Sequence, residues 1–203
     1  MTDAQSTVSA DEALRRLKEG NERFLAGRIQ TTPLIQETLR ELQHSQRPYA
    51  TILGCSDSRV PPEIVFDSGL GELFVIRVAG NVFSPEVVAS LQYAGAHLRT
   101  QLFVVLGHQG CGAVHAALMT RDQGDQHLSR IQLLVDNILP GLPLFDPQLS
   151  PAERTAQAIE SNIRWTVHQI LETPEAKLRQ AEGQMKIVGA LFEITTGRVK
   201  FLE

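Results

Sequence analysis

Two short stretches of this chain set reactive side chains at the ends of apolar runs. In YATILGCSDSR, from Tyr49 to Arg59, a strand-like run ends in a thiol, a carboxylate and a guanidinium on alternate residues, Cys55, Asp57 and Arg59. In LFVVLGHQGC a second run, from Leu102, ends in His108 and Cys111. Thiolate, imidazole and carboxylate are the donors that zinc prefers, so the two ends together offer a zinc ligand set. The spacing His108-x-x-Cys111 lets one strand-to-helix turn present both groups to a single ion, and Gly107, Gly110 and Gly112 allow the tight backbone this needs. At a helix start, Cys111 also has its thiolate favoured by the N-terminal dipole.

Each of these residues has an ordinary reading when taken alone. A cysteine in an apolar strand is usually a small core residue, His108 could be a solvated loop histidine, and Asp57-x-Arg59 could be a surface ion pair worth less than ~1 kcal/mol. A disulfide between Cys55 and Cys111 is a further alternative. Against these stands the coincidence they require: the only two cysteines and one of the six histidines fall at two strand ends. His44, His97, His115, His127 and His168 lack ligand-like neighbours and read as structural or solvated.

The elements that must position these groups predict an α/β fold. It is a single domain over residues 1–203, with a mostly parallel central sheet flanked by helices, an N-terminal helical arm over about residues 1–45 and a C-terminal hairpin. Ser9 and Glu12 form a capping-box pattern for a helix from about Ala10 to Ala26, and Thr32-Pro33 starts a second that runs to about Gln43. The apolar pattern leaves open whether this pair packs on its own core or on a neighbouring subunit. After the first strand come a helical turn over Glu63 to Ser68, the strand ELFVIRVA and a helix opened by Ser84-Pro85, and the strand from Leu102 follows. The runs ILG, FVIRV and FVVLG are continuous rather than alternating, as in parallel strands covered on both faces. A helix follows Cys111, and the proline-bearing segment from Thr120 to Pro151 reads as loop or crossover. Ser150-Pro151 and Thr173-Pro174 start a long and a shorter helix, before MKIVGALFEI and RVKFLE close a hairpin at TTGR. The ligands thus lie beyond the carboxyl ends of two parallel strands, where open α/β sheets bind their ligands.

Composition narrows the function classes. A formal net charge of -4 without a basic cluster argues against a nucleic-acid partner. No apolar run reaches the ~20 residues that span a bilayer, and the polar start MTDAQSTVSADE does not resemble a secretory signal, which together predict a cytoplasmic protein. Two cysteines rule out a disulfide scaffold. A nicotinamide-binding domain fails for want of a glycine-rich turn after the first strand.

The motifs CSDSRVPPEIVF, GELFVIRVAGN and GHQGCGAV resemble those of the β-class carbonic anhydrases, and the resemblance runs from EALRRLKEGNERFLAG to the terminal GALFEITTGRV. It implies one zinc ion per chain on Cys55, His108 and Cys111, with water or hydroxide in the fourth position. Reversible hydration of carbon dioxide to bicarbonate and a proton follows from it. By the same resemblance, Asp57 and Arg59 form the catalytic dyad, and Asp57 becomes a fourth ligand in a closed state. Gln46 reaches into a partner subunit's site, Phe74 and Tyr93 line the substrate pocket, and the assembly is a homodimer or dimer of dimers. Two departures stand out. Gly54 and Arg77 match a secondary bicarbonate site of some members, but Ile52 and Phe192 replace its tryptophan and tyrosine; Ala79 stands where valine is familiar, which enlarges the pocket. That enlargement keeps a carbonyl sulfide or carbon disulfide hydrolase as an alternative. A structural zinc interaction module is a third reading, weakened by Arg59, which a closed four-ligand site would not need.

Overall fold

The computed structural model describes residues 8–30 and 35–202. The apolar runs form one five-stranded sheet from β1 (Ala50–Gly54), β2 (Leu73–Arg77), β3 (Leu102–His108), β4 (Lys186–Phe192) and β5 (Val199–Leu202), in the order β2-β1-β3-β4-β5. β1 pairs in parallel with both β2 and β3, β3 pairs in parallel with β4, and β5 closes an antiparallel hairpin on β4. Every residue of β1 and β3 is buried. The run FVIRV, expected to be covered on both faces, is only half-buried, because β2 is the edge strand of the sheet.

Among the described residues eight helices flank the sheet: α1 (Ala10–Leu25), α2 (Ile35–Leu42), α3 (Pro62–Val65), α4 (Pro85–Ala96), α5 (Gly112–Gln123), α6 (Ser129–Ile138), α7 (Pro151–Leu171) and α8 (Pro174–Ala181). Ser9 accepts a hydrogen bond from the Glu12 amide, and Ser150 and Glu153 cap each other reciprocally. Thr173 caps α8, whereas Ser84 precedes Pro85 without a side-chain cap bond. The expected cap at Thr32-Pro33 lies outside the described residues.

The segment from Thr120 to Pro151 is not simply a loop, since it contains α6 and a single 3-10 turn over Leu139–Gly141. Pro140, Pro143 and Pro147 follow the helix without interrupting it, Pro151 opens α7, and Val135 and Ile138 are buried against the core.

Successive strand residues feed opposite cores, as a period of two requires. Leu53, Phe103 and Val105 face Val87 and Leu91 of α4, Val114 of α5 and Ile163 of α7. Ile52, Val104 and Leu106 face Ala13 and Leu17 of α1, together with Phe66 and Phe192. α1 therefore packs on its own sheet. Its Gly20 lies so close to the Phe66 carbonyl that a Cβ would overlap it, and Asn21 donates to the carbonyls of Val65 (3.1 Å) and Gly197 (3.0 Å). α2 is more exposed, with Leu39 on its open side.

Candidate metal centre

β1 lies between β2 and β3, so the chain leaves β1 for one neighbour and later returns on the other side. A crevice opens at such a reversal of strand order, beyond the carboxyl ends of the strands. Cys55 is the residue after β1, His108 is the last residue of β3, and Gly54 is in register with Leu106. Gly110, with φ of 69°, turns the backbone back so that Cys111 sits at the N-cap of α5. Only a residue tolerant of the left-handed region makes that turn without strain.

The ligand atoms of Cys55, His108 and Cys111 all lie within 4.8 Å of one another. A tetrahedral zinc with bonds of ~2.3 Å to sulfur and ~2.0 Å to nitrogen would hold its ligand atoms roughly 3.5–3.8 Å apart, which this cluster accommodates. His108 is fully buried, at 0% exposure, with Nδ1 3.0 Å from the Gln109 carbonyl oxygen. A carbonyl only accepts, so Nδ1 carries the proton and Nε2 presents its lone pair to the thiols. Nε2 is buried without a hydrogen-bond partner. A buried imidazole nitrogen is rarely left so, and a cation is the partner this donor set fits. Both thiols are free, so the disulfide alternative does not hold.

The two sulfurs share protons unequally. Sharing a proton with Cys111 pushes the Cys55 thiol well down, against an opposing burial penalty. The same sharing, with burial and the neighbouring negative charge, pushes Cys111 up. Burial disfavours the charged imidazole of His108, but the nearby Cys55 thiolate raises it on balance. The Gly80 amide donates to Cys55 Sγ at 3.4 Å, and the Gly80 carbonyl accepts from Asn162 Nδ2 at 2.9 Å.

Asp57 stands beside the cluster but outside it, with Oδ2 3.8 Å from His108 Nε2. Arg59 holds it there through Nε to Oδ1 (2.9 Å), Nη2 to Oδ2 (2.7 Å) and its backbone amide to Oδ1 (3.0 Å). The Arg59 guanidinium is the main reason the Asp57 carboxyl lies well below the usual carboxylate range. Arg77, singled out from sequence only by its match to the secondary bicarbonate site, instead donates to the backbone carbonyls of Cys55 (3.0 Å) and Asp57 (2.6 Å).

The expected pocket residues are placed as follows. Phe74 on β2 and Tyr93 on α4 meet with ring centroids 6.0 Å apart, and Tyr93 is half-exposed. Ala79 lies in a 3-10 turn directly after β2, and Gln46 is exposed on the segment leading into β1. An apolar cavity of about 280 Å³ lies between α4 and α8, lined in part by Phe83, Leu91, Phe103 and Met185, and includes none of the cluster residues. Among the described residues no other His, Cys, Asp or Glu group forms a ligand cluster. Sequence reasoning missed Asn162 and the backbone role of Arg77, because their partners are main-chain groups that only the fold brings near.

Comparison with known proteins places the sequence and the fold in a family. Residues 50–199 match the sequence profile of the carbonic anhydrase family. Carbonic anhydrase 2 of Mycobacterium tuberculosis is 38% identical over 187 residues, which span 92% of this chain and 89% of that protein. Among solved structures, the β-carbonic anhydrase CcaA superposes with a TM-score of 0.74 at 26% identity, covering 94% of this chain and 87% of its own. A tetrameric β-carbonic anhydrase of Sordaria macrospora shares the fold, with a TM-score of 0.71 at 24% identity over 83% of this chain and 90% of its own. From the profile match, the identity to curated relatives and the shared architecture, the chain belongs to the β-class carbonic anhydrases.

Proposed function

We propose that this enzyme hydrates carbon dioxide reversibly to bicarbonate and a proton, using one zinc ion per chain held by Cys55, His108 and Cys111. The observation that carries the reading is the unpartnered Nε2 of His108, buried between two thiols while Arg59 holds the neighbouring carboxylate aside. Zinc at that position supplies Lewis acidity, which brings the ionisation of water towards neutral pH.

The protein groups do the rest. With Oδ1 and Oδ2 both paired to Arg59, Asp57 stays charged and fixed, and its remaining lone pairs accept a hydrogen bond from the attacking water and orient it. Arg59 also keeps that carboxylate from becoming a fourth ligand; when the pair breaks, Asp57 is free to close the site. Phe74, Tyr93 and Ala79 provide the apolar wall for a linear, uncharged substrate. Gln46 is exposed in the single chain, which suits a residue that hydrogen-bonds carbon dioxide or bicarbonate in a partner subunit. A homodimer or dimer of dimers is the assembly in which it would do so, in line with the tetrameric Sordaria macrospora protein. A reducing, cytoplasmic setting suits two cysteines that must remain thiols. Ile52 and Phe192 are buried and apolar, and both Nε and Nη2 of Arg77 are engaged, so bicarbonate should not inhibit through the secondary site.

Two thiolates cancel the charge of a dication, so activity should rise on the alkaline side of neutrality. Stopped-flow hydration by the zinc-loaded protein over about pH 6.5 to 9 tests this window, which brackets the ionisation expected of a zinc site near ~7. A flat or acid-favoured profile counts against the reading. Arg59→Ala should lose most turnover while zinc stays bound, and retained turnover removes the assigned role. Ala79, smaller than valine, supports a second reading as a carbonyl sulfide or carbon disulfide hydrolase, and parallel assay of those substrates decides it. A structural zinc module would be indifferent to Arg59→Ala in every assay.

A further inference from the structure

We propose that Arg77 is a positioning residue for this reaction, fixing the backbone that carries both Cys55 and Asp57. The inference rests on the carbon dioxide hydration reading. Arg77 is the last residue of β2 and lies in register with Gly54, the last residue of β1. The ladder is still intact one step further, where the Val78 amide donates to the Gly54 carbonyl at 3.1 Å. Beyond Gly54, β1 has left the sheet, and its next carbonyls need other donors.

The Arg77 side chain supplies them. Nε donates to the Cys55 carbonyl at 3.0 Å and Nη2 to the Asp57 carbonyl at 2.6 Å. One planar fork thus spans the exposed Ser56 and sets the spacing between the metal ligand and the dyad carboxylate. The Asp57 carbonyl also accepts from the Val60 amide at 3.1 Å, so this stretch is tied at its far end as well. No other side chain among the described residues donates to the Cys55 and Asp57 carbonyls together. Arg59 aims the Asp57 carboxylate, and Arg77 aims the peptide on which that carboxylate hangs. Lysine cannot serve two carbonyls in fixed relative orientation, because its ammonium is a single point on a flexible stem.

Arg77→Ala, Arg77→Lys and unaltered protein, all zinc-loaded, provide the test. In Arg77→Ala, kcat should fall about 30- to 100-fold with KM changed less than about threefold, as small misplacement of a reacting group costs on this scale. Zinc content should stay at one per chain. Amide exchange followed by mass spectrometry should accelerate in peptides covering residues 55–60 and stay unchanged in those covering β4. Guanidinium chloride at non-denaturing concentration should restore at least about fivefold of the lost rate in Arg77→Ala, where equal sodium chloride does not, and Arg77→Lys should fall between the two proteins.

A kcat for Arg77→Ala within about threefold of the unaltered protein overturns the proposal, as does a loss confined to KM, which would make Arg77 a substrate-binding residue. If Arg77→Ala fails to fold, Arg77→Lys decides, since full kcat in a folded, zinc-loaded lysine variant also overturns it. An unaltered protein that holds zinc yet hydrates no carbon dioxide defeats the underlying reading instead, and the exchange data then still report whether Arg77 orders residues 55–60.

Discussion

Replacing Asn162 by alanine should weaken zinc binding from the far side of the helix layer. Asn162 sits on α7, 1% exposed, and its Nδ2 donates to the Gly80 carbonyl at 2.9 Å. Gly80 in turn directs its amide at Cys55 Sγ, 3.4 Å away, from a left-handed conformation with φ of 70°. Losing the amide leaves a buried carbonyl without this donor, which costs about 1–3 kcal/mol. Asn162 Oδ1 has no partner to lose. For a domain of this size each kcal/mol shifts Tm by about 2–4 °C, so the zinc-free protein should melt about 2–12 °C lower. Outer-shell substitutions weaken metal binding about 10- to 100-fold. Gly80 addresses only one of three ligands, so the low end, about tenfold, is expected. Competition with a chromophoric chelator measures the affinity, and a zinc-free melt measures the stability. Asn162→Asp should be worse than alanine, because a carboxylate presents acceptors to an acceptor. A lowered Tm with zinc affinity unchanged within about twofold would refute the coupling from Asn162 through Gly80 to Cys55.

Three further outcomes follow from other parts of the fold. Gly20→Ala should destabilise by about 3 kcal/mol or more in denaturant titration, because the new Cβ overlaps the Phe66 backbone carbonyl and lifts α1 from the sheet; a loss below about 1 kcal/mol contradicts that contact. Burial pushes the Tyr49 hydroxyl up to about 12, partly offset by its hydrogen bond with Ser68. The unfolded chain therefore ionises this group first, and about 3 kcal/mol of stability should drain away between about pH 10 and 12. Tyr49→Phe should flatten that decline in alkaline denaturant titrations, and an equal slope in both proteins would rule the assignment out. Ala79→Val should leave carbon dioxide hydration within about threefold while depressing any turnover of carbonyl sulfide, since one or two methylenes shift pocket selectivity by about 10-fold or more; equal effects on both substrates would show that this residue does not set the width.

Much of this architecture is written locally. Ser9 with Glu12, Ser150 with Glu153, and Thr173 before Pro174 each mark a helix start because capping involves residues three apart. The clustering of Cys55, His108 and Cys111 was legible because a strand end followed by a thiol, or by His-x-x-Cys, is a short-range pattern. α6 was hidden by the prolines after it: Pro140 and Pro143 end a helix without forbidding one before them. Arg77 and Asn162 leave no local trace. Each works through main-chain atoms delivered by a different element, and no spacing along the chain encodes such a meeting.

The division of the ligands between β1 and β3 also bears on the order of events in folding. Cys55 leaves one strand and His108 and Cys111 follow another, with β2 and α4 between them in the chain. Parallel neighbours cannot zip from a hairpin, so the whole crossover must be in place before the strands lie side by side. An ion meeting the unfolded chain finds only the close pair His108 and Cys111. Its full grip would need β1 and β3 already side by side, late in the approach to the native state. With zinc held as proposed, metal supply should leave the refolding rate nearly unchanged and slow unfolding, lengthening the life of each folded molecule.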